Sequence, residues 1–176
     1  MSALKSKKKK KSYRPHEFGK PAGYSFMHEL LASPTEPMPV STQNAYFEMI
    51  IKALEEVDSE LSVQHWNALS EMVNIMQTLV LQGLCEDASG LVEDAVEALA
   101  NAGRCHLDGA AMQLNPSEQS SVRAIAADFI EVTQVIPHRE MVRCHRATQI
   151  RIDTFRKNRD AEIIDLSQKK ASHAPV

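Results

Sequence analysis

"NPSEQSSVRAIAADFIEVTQVI", Asn115–Ile136, decides how the whole chain reads. Asn115 can cap a helix, Pro116 suits the first helical position, and Glu118 completes a capping box. Val122, Ile125, Phe129, Val132 and Ile136 then follow at spacings of three and four, which lines them along one helical face.

The same grammar recurs toward the N-terminus. "STQNAYFEMIIKALEEV" places Phe47, Ile50, Ile51 and Leu54 on one face. Ser62 can cap a second helix whose stripe is Trp66, Leu69, Val73, Met76 and Val80, widened by Met72, Ile75 and Leu79. A stripe that wide predicts a central, buried helix, with Gly83 as its stop. A third helix is expected from about Ser89, with Val92, Ala95, Val96, Leu99 and Ala102 facing inward. Gly103 sits inside it or ends it, and "LDGAAMQL" is available to continue it.

Toward the C-terminus, Pro137 either kinks the capped helix or opens a fifth. That fifth segment carries Met141, Cys144, Thr148, Ile152 and Phe155 on one side, and "EIIDL" could extend it. Strand-like alternation and internal repeats are not seen. The expected fold is all-α, a bundle of four to five helices over residues 41–160. Residues 1–40 are expected to form a basic, proline-containing flexible tail, disordered when free, and residues 161–176 a C-terminal tail. Within the first tail, "YSFMHELLA" can make a turn or two, with Phe26, Leu30 and Leu31 available to staple it to the body or to a partner.

Composition agrees with this class. The 176 residues are 43% hydrophobic but only 5% aromatic, with six glycines, which favours helices over a sandwich. No apolar run approaches the roughly 20 residues of a membrane span. The N-terminal lysines lack an apolar segment behind them, so no secretory signal is expected. Cys85, Cys105 and Cys144 are odd in number and widely spaced, which suits reduced thiols and a cytoplasmic location.

Charge is strongly partitioned. Residues 1–40 hold eight Lys/Arg against three Asp/Glu, residues 41–136 three against fifteen, and residues 137–159 seven against two. An acidic body flanked by two basic segments points to contacts with a partner.

The second basic segment is "PHREMVRCHRATQIRIDTFRKNR", Pro137–Arg159. On a helical wheel its apolar stripe lies opposite Arg139, Arg143, Arg146 and Lys157, with Ile150 among them. This face either neutralises the acidic body or contacts phosphate or an acidic partner. Phe155 falls on the core side, so base stacking from this helix is not expected.

Other chemistry has less to stand on. Cys144–His145 and Cys105–His106 are adjacent pairs, about 100 degrees apart on a helix, so neither faces its own neighbour. Combined with Cys85 or His138 they could make a weak metal site, but CxxC and HxxxH spacings are missing, and no cofactor or metal is expected. Hydrolase, zinc-protease and phosphate-loop signatures are missing too, so the chain reads as non-enzymatic. A helix-turn-helix around Gly83 would present Glu93, Asp94 and Glu97 to DNA, which repels it.

"LLASPTEPMP", "CEDASGLVEDAVEALANAGRCHL" and "PHREMVRCHR" resemble small bacterial accessory proteins of phages, plasmids and genomic islands. Some of these are labelled Fis-type regulators. The resemblance covers about residues 28–150. It implies a regulatory or host-interaction role and carries over no catalytic residue. The Fis label implies a basic recognition helix within a helix-turn-helix, and this chain shows the basic helix without the short turn beside it.

Two functions follow as expectations. One is a nucleic-acid or nucleic-acid-associated binding protein using Lys7, Lys8, Lys9, Lys10, Lys11, Arg139, Arg143, Arg146 and Lys157. The other is a protein–protein adaptor or inhibitor, of the anti-defence or host-interaction kind, using the acidic helices or "LLASPTEPMP". The broad apolar faces would also serve a homodimer.

Overall fold

The computed structural model describes residues 25–87, 89–158, 163, 164 and 166. Among these it is helical throughout, with six helices: α1 Phe26–Leu31, α2 Val40–Glu56, α3 Val63–Leu81, α4 Leu91–Leu107, α5 Pro116–Val135 and α6 His138–Asn158. The all-α class stands. The count exceeds four to five because "FMHELL" closes into a short helix of its own, α1.

Helix α3 is the hub and packs against α2, α4, α5 and α6. Its eight buried positions include Trp66, Leu69, Met72, Val73, Ile75, Met76 and Leu79, as the wide stripe predicts. Ser62 caps it by accepting from the His65 amide. Gly83 ends it. At φ +69 the glycine lets its amide reach Val80 O at 2.9 Å and the Leu84 amide reach Leu79 O at 3.0 Å. Those two bonds satisfy carbonyls that the helix end would otherwise leave unpaired.

The same device ends α4 earlier than the sequence suggests. Gly109 takes φ +87, and the Ala110 amide bonds Cys105 O at 2.8 Å. "LDGAAMQL" therefore does not prolong the helix. It leaves as extended chain whose Met112 and Leu114 turn inward while Ala111 and Gln113 stay out. Gly103 lies inside α4, and a methyl group there would fall 2.8 Å from the Trp66 ring and 2.7 Å from Ile164. With no side chain at Gly103, Trp66 fits close against α4, and its indole N–H donates to Leu99 O at 2.7 Å.

The Asn115 cap forms as read: its side chain accepts from Ser117 and Glu118 while Glu118 accepts from the Asn115 amide. Pro137 opens a new helix. It pushes Ile136 into extended geometry (ψ 134), which stops α5 and turns the chain into α6.

Some facing assignments move by a turn. In α2 the buried residues are Gln43, Ile50 and Ala53, whereas Ile51 is exposed. In α6, Met141, Cys144 and Thr148 are buried as expected, but Phe155 is exposed. Within "EIIDL" the described Ile163 and Ile164 are not helical, and Ile164 and Leu166 pack on the core.

The tail expected over residues 1–40 is, from Ser25 onward, a strap docked along α6. Ala32 and Met38 are buried. The strap's Ser33 and Glu36 carbonyls accept from the Arg139 and His138 amides at 2.9 and 2.7 Å. Those are the first amides of α6, which have no acceptor within their own helix, so the strap serves as its cap. No helix among the described residues is long and apolar enough to cross a membrane.

Candidate anion-binding surface on the last helix

Arg139, Arg143 and Arg146 recur at spacings of four and three, so they stand within about 60 degrees of one another on α6. The structure brings all three onto the strap. Arg139 donates through Nε to Ala32 O at 3.3 Å and reaches Leu30 O at 3.5 Å, where α1 ends. Guanidinium at a helix C-terminus meets both free carbonyls and the negative end of the dipole.

Arg143 and Arg146 converge on one carboxylate, that of Glu29. Arg143 Nε donates to Oε1 at 3.2 Å, and Arg146 donates to Oε2. Arg143 also holds both oxygens of Glu140 at 2.8 Å, three residues back on its own helix. The Arg146 guanidinium lies over the Phe26 ring, 5.5 Å from its centre. The Glu29 side chain is only 13% exposed. That burial works to raise its pKa, but hydrogen bonds and charge from Arg143 and Arg146 outweigh it and hold the carboxyl below its ordinary range.

The acids that meet this face are Glu29 of the strap and Glu140 of α6, not those of the acidic body that the face was expected to neutralise. Sequence reading missed Glu29. The signal for it was slight: one acid inside the otherwise apolar "FMHELL".

Lys157 is not drawn into this cluster. It stands exposed about 16 Å further along nearly the same face of α6. Arg151 turns the other way, onto the body, and donates to Asn74 O at 3.1 Å. Lys7, Lys8, Lys9, Lys10 and Lys11 lie outside the described residues.

The cysteine–histidine readings resolve differently from one another. Cys144 is buried, and its thiol donates to Gln82 Oε1 at 3.0 Å; burial pushes its pKa up to about 11. His145 is buried as well, because α6 turns it toward α2 and α3. It meets the edge of Tyr46 with ring centres 5.8 Å apart, and its Nδ1 lies 3.8 Å from Glu71. Cys105 is exposed, on the outer side of α4. No group of three or more His, Cys, Asp or Glu suited to a metal occurs among the described residues. Glu93, Asp94 and Glu97 do form an exposed acidic stripe on α4.

No family model, curated protein or solved structure matches this chain.

Proposed function

We propose that this is a non-enzymatic binding protein, regulatory in role and cytoplasmic, whose partner is nucleic acid or a nucleic-acid-associated protein. Contacts come from Arg139, Arg143, Arg146 and Lys157 on α6, joined by the Lys7–Lys11 tail. One observation carries the reading: three surface guanidiniums on α6 are turned to two carboxylates, of Glu29 and Glu140, and two carbonyl oxygens, acceptors like those of a phosphodiester backbone. The mechanism is electrostatic capture with modest sequence reading.

A salt titration of binding to random-sequence duplex DNA tests it. The logarithm of affinity should fall linearly with the logarithm of salt, with slope magnitude near 0.9 for each phosphate contacted, so about 3.6 for the four α6 cations alone. A flat response refutes the reading.

A second reading has its own observation. Phe26, Met27, Leu30 and Leu31 on α1 are 57, 59, 51 and 80% exposed, an apolar cluster suited to a protein partner. This is an adaptor or inhibitor of the host-interaction type, or a homodimer. Retention of a defined protein partner from a nuclease-treated lysate, lost on Leu30→Glu/Leu31→Glu, supports it; retention unchanged by that variant refutes it.

A further inference from the structure

We propose that α1 is a displaceable strap: Glu29 occupies in cis the anion site made by Arg143 and Arg146, and a phosphodiester backbone takes that site when α1 lifts from α6. The inference rests on the nucleic-acid reading above and adds its regulation.

The first argument is that α1 is inside out. A helix held to a body by apolar burial turns its hydrophobic stripe inward and its charges outward. Here Phe26, Met27, Leu30 and Leu31 face solvent, no residue of α1 is buried, and the inward side chain is Glu29. What holds α1 is therefore mainly the set of bonds from Arg139, Arg143 and Arg146, with the Arg146–Phe26 contact.

The second argument is size. Six residues fall well short of the roughly 12–15 at which an isolated helix becomes marginally stable. Helix α1 persists because it is docked, and a competitor for its docking groups unseats it. Lifting it leaves the core intact, since the buried hydrophobic cluster begins only at Met38.

The third argument is a built pivot. Downstream of α1, Ala32 is buried, the Ser33 and Glu36 carbonyls cap α6, and Met38 sits in the core. These contacts stay when α1 moves, so the hinge falls at Ala32–Ser33. The bonds that lifting α1 breaks include those of Arg143 and Arg146 to Glu29 and of Arg139 to Leu30 O.

The exchange is also matched in chemistry. Carboxylate and phosphate present similar paired oxygens to a guanidinium fork, so one anion replaces the other without a new charge being buried. Removing α1 uncovers a row from Arg139 to Lys157, about 27 Å along one helix face. While α1 is docked, apparent affinity is reduced by the fraction of molecules that are open.

The test uses the full chain, a fluorescently labelled random-sequence duplex DNA and three proteins: wild type, Glu29→Gln, and Glu36→Gln. The last removes the same charge from the exposed part of the anchor. Glu29→Gln should bind about threefold to tenfold tighter than Glu36→Gln, with a salt slope steeper by about one to two as freed arginines meet phosphates. In the wild type, DNA should speed hydrogen exchange in residues 25–32 while slowing it in α6. Equal binding by the two variants, or a strap that stays protected in the complex, overturns the strap inference and leaves the nucleic-acid reading standing. Binding by Glu29→Gln alone supports the strap and confines the nucleic-acid reading to the open form. Binding by none of the three overturns both.

Discussion

Acid should destabilise this fold through His145. The ring is enclosed by α2, α3 and α6, and its burial lowers the pKa from 6.5 to about 4. Between those values the unfolded chain holds a proton on this histidine that the native chain does not. Stability therefore rises with pH across the window: the contribution is full above about 6.5, is lost as pH falls toward 4, and changes no further below. A shift of this size corresponds to about 3 kcal/mol, of which about 2 kcal/mol is gone by pH 5. Glu71, whose carboxylate lies 3.8 Å from the ring, acts in the opposite sense. Its pKa is raised by burial, so the native state keeps a proton there that the unfolded state releases, and this stabilises the fold as pH falls. The two titrations therefore oppose each other, and removing either one changes the slope. Urea unfolding followed by the fluorescence of Trp66, at about pH 7.5, 6 and 5, reads the slope. His145→Gln should flatten it by close to one proton within the window, and Glu71→Gln should steepen it. An identical slope in wild type and His145→Gln would refute the assignment.

Two further perturbations test the packing. Gly103→Ala puts a methyl group 2.8 Å from the Trp66 ring, which is fixed by its bond to Leu99 O, and 2.7 Å from the more yielding Ile164; we expect a loss of about 1–3 kcal/mol in chemical denaturation and a changed Trp66 emission. Asn115→Ala removes the acceptor for two amides at the start of α5 and should cost about 1 kcal/mol, with no change in the folded-state spectrum.

These positions also show what periodicity can and cannot specify. Caps and stops are local, set by a few consecutive residues, so Ser62, Gly83, Asn115 and the break at Pro137 were all readable. The buried stripe of α3 was readable too, because a helix packed on four sides must be apolar over most of its circumference. Ile51 and Phe155 were misplaced because helical spacing gives azimuth alone, whereas burial needs a neighbouring element on that side: Ile50 and Ala53 face one in α2, and Ile51, next along the chain, does not. The α4 stop at Gly109 was missed because two glycines compete for it, and only the close approach of Trp66 shows that Gly103 is kept for packing.

The arginine face makes the same point about function. Its residues were legible because Arg139, Arg143 and Arg146 fall together on any helical wheel. Its state was not, because the covering group is more than a hundred residues away in sequence and sits in a segment whose prolines read as tail. What distinguishes the strap from an ordinary packed element is a conflict between levels. Its sequence is apolar enough to bury, yet it turns those residues outward to place one carboxylate between two guanidiniums. A local arrangement that disagrees with its own hydrophobic pattern is held by something other than burial. Here that is ion pairing and hydrogen bonding, which added salt or a competing polyanion weakens while the apolar core is unaffected. The strap should therefore loosen at moderate ionic strength well before the bundle responds. Residues 25–32 would then exchange faster in about 0.5 M salt with the unfolding midpoint unchanged, and parallel changes in the two would show α1 to be part of the cooperative core.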